Sequence, residues 1–234
     1  MTEARITLVT GATKGLGLQT ARSLVAAGHT VYLGARDARR GQEAAQAVGA
    51  RLLLLDVTSD ESVAAAAAHV ERETGRLDVL VNNAGVGGTA KSADEITAAD
   101  LLAVYDTNVF GVVRVMRAFL PLLLAGKSPA VVNVSSGMGS LGVTNDPGRF
   151  ESTVVLPAYT SSKTALNMLT SQYAKAYPGI RINAVDPGFT ATDINGHQGT
   201  QTVEEGAEII VRTAAAVGDD TTGGFFDSRG PLPW

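Results

Sequence analysis

Apolar positions along this chain fall into two alternating kinds of run. Short, nearly uninterrupted aliphatic runs alternate with longer segments whose apolar residues recur every three or four positions. The first kind suits strands buried on both faces, the second amphipathic helices. Read in order, Ile6–Thr10 predicts a strand and Leu16–Ala27 a helix. Thr30–Ala35 is a second strand, Asp37–Val48 a helix and Arg51–Asp56 a third strand. The alanine-rich stretch Thr58–Thr74 is a helix with Thr58 or Ser59 as N-cap. Leu77–Val81 is a fourth strand, and a long helical region covers Ala98–Leu124. A strand at Ala130–Ser135, a helix at Ala158–Tyr177 and a strand at Ile180–Val185 follow. A helix near Val203–Val217 and a strand near Gly224–Phe226 close the chain. This alternation predicts an α/β fold: one doubly wound domain over residues 1–234, with a parallel sheet of about seven strands and helices on both faces.

Two motifs then stand out. Thr10-Gly11-Ala12-Thr13-Lys14-Gly15-Leu16-Gly17 joins the first strand to the first helix. Glycines there permit a tight turn and close approach of backbone to phosphate, and the helix N-terminus offers free N–H groups. Its spacing is G-x-x-x-G-x-G rather than G-x-G-x-x-G, and an ordinary glycine-rich turn is the bland alternative. The second motif is Tyr159 and Lys163, four residues apart and therefore one turn apart on one helix face. Ser135 and Ser136 end the fifth strand, the edge where α/β sheets place ligands.

This set suits carbonyl reduction. A lysine ammonium roughly 5 Å from a phenolate is worth about 3 kcal/mol at an effective dielectric of about 20. That predicts a tyrosine pKa about two units below its usual value near 10. Tyr159 then serves as acid in reduction and base in oxidation, and a serine hydroxyl holds the carbonyl oxygen.

With further motifs in order, the chain resembles a short-chain dehydrogenase/reductase, in the branch that includes the monomeric carbonyl reductases. The resemblance spans nearly the whole chain. It is carried by Thr10–Gly17, Leu55-Asp56-Val57, Asn82-Asn83-Ala84-Gly85 and Asn108. Val132-Asn133-Val134-Ser135-Ser136, Tyr159-x-x-x-Lys163 and Pro187-Gly188 complete it. It implies a Rossmann-type domain and a catalytic set of Asn108, Ser136, Tyr159 and Lys163. Ser136, rather than Ser135, matches the polarising serine, and Asn108 would anchor a water. Gly11, Thr13, Lys14, Gly15, Leu16 and Gly17 would form the cofactor loop. Asp56 and Val57 would border the adenine, and Asn83, Ala84 and Gly85 the adenosine ribose. Lys163 would hold the nicotinamide ribose, and Pro187, Gly188 and Thr192 would line the nicotinamide. Structural alternatives stand beside these roles: a helix kink for Asn108, a strand-end cap for Asp56, a plain turn for Pro187-Gly188. His197 reads as a solvent-exposed side chain.

Cofactor choice turns on the end of the second strand. Where an acid would bind the ribose 2′-hydroxyl of NAD, the chain has Ala35 and then Arg36. Arg36, with Lys14, suits the 2′-phosphate of NADP(H). Asp37 is the competing NAD-type acid, and it reads better as a cap for the following helix.

Composition narrows the classes. Charged residues make up 18% of the 234 and the net charge is −4, which argues against nucleic acid as the partner. There is no cysteine, and the three histidines, His29, His69 and His197, are widely spaced. Thiol chemistry and disulfides are thereby excluded, and no metal site is expected. Met1-Thr2-Glu3-Ala4-Arg5 lacks the pattern of a signal peptide. Val112–Leu124 contains Arg114, Arg117 and Pro121, so no membrane span is expected and the location reads as cytoplasmic.

Ser136 and Tyr159 are farther apart than in most members of the family the chain resembles, and closer than in its carbonyl-reductase branch, which carries a much longer insertion there. Substrate walls, for a small carbonyl or alcohol, are expected from Val86–Lys91, Gly137–Pro157 and Phe189–Thr202. Relatives pair through the 98–124 helix and the Tyr159 helix. With a short inserted segment, the resemblance leans towards a homo-oligomer.

Overall fold

Strand residues here alternate between two buried faces, which explains why both faces carry helices. Leu8 and Leu80 point into one apolar cluster with Val63, Val70, Val115 and Phe119. Val9, Val79 and Val81 point into the other with Ala21, Leu24, Ala45 and Ile210. The computed structural model describes residues 4–218 and 220–234. Met1, Thr2 and Glu3, part of the N-terminal expectation above, and Asp219 lie outside the described residues.

The elements run β1 (Ile6–Val9), α1 (Gly15–Ala26), β2 (Thr30–Ala35), α2 (Ala38–Val48), β3 (Arg51–Leu54), α3 (Asp60–Thr74) and β4 (Val79–Asn82). Then follow α4 (Ala98–Tyr105), α5 (Gly111–Leu124), β5 (Ala130–Val134), α6 (Leu141–Thr144), α7 (Pro157–Ala176), β6 (Arg181–Val185), α8 (Val203–Ala215), β7 (Phe225–Asp227) and β8 (Gly230–Pro231). They form one sheet in the order β3-β2-β1-β4-β5-β6-β7-β8. The first seven strands are parallel, as expected. The eighth was not foreseen: it pairs antiparallel with β7 through only two residue pairs, too short for periodicity to register. The strand order reverses beside β1, so the C-terminal ends of β1 and β4 open a crevice there.

Helix starts are mostly fixed by side chains. Asp37 caps α2 by accepting the Arg40 N–H at 2.8 Å, in keeping with its reading as a cap. Ser59 rather than Thr58 caps α3, and Thr97 and Thr202 form capping boxes with Asp100 and Glu205. The long helix is continuous over 27 residues, long and apolar enough by composition to cross a membrane. Val112, Val115, Met116, Phe119, Leu122 and Leu123 are nevertheless buried in the protein core. At Asp106–Phe110 it widens into a π-helical turn, which joins α4 to α5. Pi-bulges of this kind favour functional positions, and Asn108 lies inside it.

Candidate active site

Glycines shape the loop after β1 because backbone geometry requires them. Gly11 and Gly15 have φ of +61° and +54°. At Gly17 an added Cβ would lie 2.4 Å from Asn83 Nδ2 and 2.8 Å from the Gly11 carbonyl oxygen. Asn83 braces this loop: its side-chain amide donates to the carbonyls of Thr10 (2.9 Å) and Gly11 (3.1 Å). The Thr10 hydroxyl accepts the N–H groups of Asn83 and Ala84, both at 3.0 Å. The turn after β4 is thus stitched to the glycine loop. Helix α1 begins behind Lys14 without a side-chain cap, unlike α2, α3, α4 and α8. Uncapped N–H groups at the end of a glycine loop fit the phosphates of a dinucleotide. Thr13 and Leu16 are half-buried in the same loop.

The other cofactor-side residues stand around this crevice. Arg36 is exposed directly after β2, and its charge helps hold the Asp56 carboxyl low, after the hydrogen bonds from Thr58. Asp56 accepts the Thr58 N–H at 2.9 Å and its hydroxyl at 2.7 Å, so it also closes the turn before α3. Val57 is buried against Gly111, where an added Cβ would lie 3.0 Å from Val57 Cγ2. Lys14 forms an ion pair with Asp193, so the glycine loop is tied to the segment after β6. His197 joins the pair from the far side, 2.7 Å from Asp193, and is exposed as anticipated. Thr192 lies over Gly15, whose added Cβ would meet Thr192 Cγ2 at 3.6 Å. Gly188, with φ +75°, follows Pro187 at the end of β6.

The proposed catalytic side chains converge at the ends of β4 and β5. Lys163 is 5% exposed, and its Nζ donates to the Val134 carbonyl at 2.8 Å. Tyr159 is half-buried, with Lys163 Nζ 5.7 Å from its ring centroid. Ser136 stands beside Tyr159, and its hydroxyl acts on the phenol to favour the ionised form. Asn108 accepts the Val86 N–H at 2.9 Å, and its amide donates to the Val86 carbonyl (2.9 Å) and to Ser162 Oγ (3.0 Å). It therefore satisfies backbone groups, as the structural alternative had it. It also stands near Lys163: a Cβ at Gly85 would lie 3.4 Å from Asn108 Oδ1 and 3.7 Å from Lys163 Nζ.

The expected depression of the Tyr159 pKa is reversed. Burial pushes it up to about 12, against the opposing influence of Ser136 and with a further push from Asp186. Burial brings Lys163 down to about 8, with Asp186 opposing. The ammonium is aimed at the Val134 carbonyl, so desolvation outweighs its attraction for the phenolate.

The positioning roles of several polar residues escaped the sequence reading. Ser135 is buried and donates to Asn167 Oδ1 at 2.6 Å, while Asn167 donates to the Gly139 carbonyl at 3.1 Å. Asn82 donates to Asn133 at 2.8 Å, and Asn133 to Thr170 Oγ1 at 2.8 Å. These bonds lock α7 onto β4 and β5. The available signal was polar residues at helical spacing behind Tyr159: Ser162, Lys163, Asn167 and Thr170. An open cleft of about 340 Å³ lies between the 149–151 segment, the end of β6 and the end of β7. Phe189 on its wall meets Phe150 at 5.9 Å between ring centroids.

Residues 5–203 match the family model described as short chain dehydrogenase. The chain is 36% identical to the short-chain dehydrogenase anuI of Penicillium roqueforti, covering 89% of this chain and 88% of that one. It is 34% identical to a (+)-neomenthol dehydrogenase of Arabidopsis thaliana, covering 96% of each. Among solved structures, NADPH-bound carbonyl reductase from chicken fatty liver superposes with a TM-score of 0.87. That pair is 29% identical, covering 99% of this chain and 100% of the other.

Proposed function

The chain belongs to the short-chain dehydrogenase family, and from that premise we propose that it reduces carbonyl compounds with NADPH, using Tyr159 as the proton donor. The observation that carries this reading is the meeting of Ser136, Tyr159 and Lys163 beside an uncapped, glycine-lined helix N-terminus.

When bound, the nicotinamide supplies or takes the hydride. The chain's own residues do the rest. Ser136 holds the substrate oxygen and favours the negative charge that develops on it. The Tyr159 hydroxyl gives that oxygen its proton, and its raised pKa keeps the proton in place until the oxygen becomes basic. Lys163 faces the same space and would hold the nicotinamide ribose. Asn108 fixes the Val86 backbone and Ser162, and so the approach of α7.

The selection of NADP(H) is assigned to Arg36, exposed where the adenosine ribose would lie, with Lys14 of the glycine loop as a second positive charge. Lys14 would share its charge between Asp193 and the 2′-phosphate. Comparing kcat/KM for NADPH and NADH tests this. NADPH should be the better cofactor, and Arg36→Asp should weaken it at least tenfold while leaving NADH nearly unchanged. Equal use of both by the unmodified protein would sink the assignment.

A cytoplasmic location and a homo-oligomer go with this reading. Exposed Leu102, Phe110 and Met168, on the 98–124 helix and α7, support the second.

A further inference from the structure

One buried carboxylate beside the proposed catalytic set has no part in the chemistry above. Asp186 directly follows β6 and is 7% exposed. Its side chain accepts the Gly188 N–H at 3.0 Å, and its Oδ2 lies against the Gly137 backbone. Gly137 follows Ser136, and Gly188 belongs to the Pro-Gly turn. One carboxylate thus joins the turn of the polarising serine to the turn expected beside the nicotinamide. Space is tight there: a Cβ at Gly137 would lie 3.0 Å from Asp186 Oδ2 and 2.8 Å from Glu151 Oε1.

Sheet register brings the same carboxylate to the lysine. Val134 and Val185 are paired across β5 and β6, so Asp186 stands one residue beyond the carbonyl that holds Lys163 Nζ. The groups facing Asp186 come from several elements. Glu151 and Arg149, from the segment before α7, pair with each other at 3.0 Å. Asp227 at the end of β7 pairs with Arg229 at 2.8 Å. Both arginines are therefore already matched by a carboxylate. From α7 come Tyr159 and Lys163, both of which feel the Asp186 charge. Burial, with Glu151 and Asp227, raises the Asp186 carboxyl pKa, while the neighbouring backbone N–H groups of Gly188 and Gly137 favour its anion.

We propose that Asp186 is a positioning residue for the reduction: it fixes the turns on either side of the reacting centre, and its negative charge keeps Lys163 and Tyr159 protonated. The inference rests on the reductase reading. A carboxylate near both groups favours their protonated forms, so removing its charge lowers both pKa values. Reduction requires both protons, so loss of activity on raising pH must begin earlier.

The test is the pH profile of NADPH-dependent carbonyl reduction for wild type, Asp186→Asn and Asp186→Ser, with NADPH binding followed by fluorescence. Both variants are uncharged, but only asparagine keeps most of the hydrogen-bonding shape. The expected result is that the alkaline limb moves down by about one pH unit in each variant that binds NADPH. A lower rate with an unmoved limb would overturn the proposal, since a tether alone leaves the titration in place. Loss of NADPH binding in both variants would also overturn it, by assigning the carboxylate to the fold. If wild type itself reduces no carbonyl, it is the reductase reading that fails.

Discussion

At the scale of single residues, the site depends on which of two effects controls a buried ionisable pair. Spacing alone placed Tyr159 and Lys163 together and suggested that the ammonium would dominate. In the structure desolvation dominates, with Tyr159 near 12 and Lys163 near 8. The difference was not legible because it depends on burial and on the Val134 carbonyl, which come from elsewhere in the chain. The sign for activity follows. Lys163 is charged below about pH 8 and loses its proton above it, so reduction should hold steady below that pH and fall above it. Lys163→Ala should remove this limb and weaken NADPH binding together. An unchanged limb in that variant would assign the titration to another group.

At the scale of elements, the sequence carried most of the framework. Seven parallel strands and their crossover helices were readable because each is a sustained pattern. The two-residue β8 and the π-helical turn at Asp106–Phe110 were not. The first is shorter than any period, and the second is a backbone event that hydrophobicity does not mark. The glycine loop was readable as a phosphate cradle, but its bracing by Asn83 was not, since that contact joins β1 to β4. Gly17→Ala tests the brace. Its Cβ would meet Asn83 Nδ2 and the Gly11 carbonyl, so overpacking should cost about 1–3 kcal/mol. Thermal denaturation should show a Tm lower by several degrees, with NADPH affinity reduced. A Tm and affinity equal to wild type would show that the loop tolerates a side chain there.

At the scale of the whole molecule, the proposed chemistry sits where the C-terminal ends of the strands gather their turns. The glycine loop, the Asn83–Gly85 turn, Ser136 and the Pro187-Gly188 turn all follow C-terminal strand ends. Besides the Asn83 brace, two contacts cross between them: the Lys14–Asp193 ion pair, and the approach of Asp186 Oδ2 to Gly137. Neither was legible, because each pairs residues remote in sequence. Exposed Leu102, Phe110 and Met168 lie on the 98–124 helix and α7, where the proposed second copy would pack. Light scattering should give a mass at least twice 24.1 kDa, and a mass near a single chain would end that idea.

Proton delivery by Tyr159 to a carbonyl oxygen during hydride transfer from NADPH is the central proposal. The most direct measurement is carbonyl-dependent oxidation of NADPH, followed by absorbance over a panel of aldehydes, ketones and quinones, for wild type and Tyr159→Phe side by side. Wild type should turn over at least one class. Tyr159→Phe should bind NADPH almost normally and lose about a thousandfold in rate, within the range general acid catalysis supplies. Near-normal turnover by Tyr159→Phe would contradict the account.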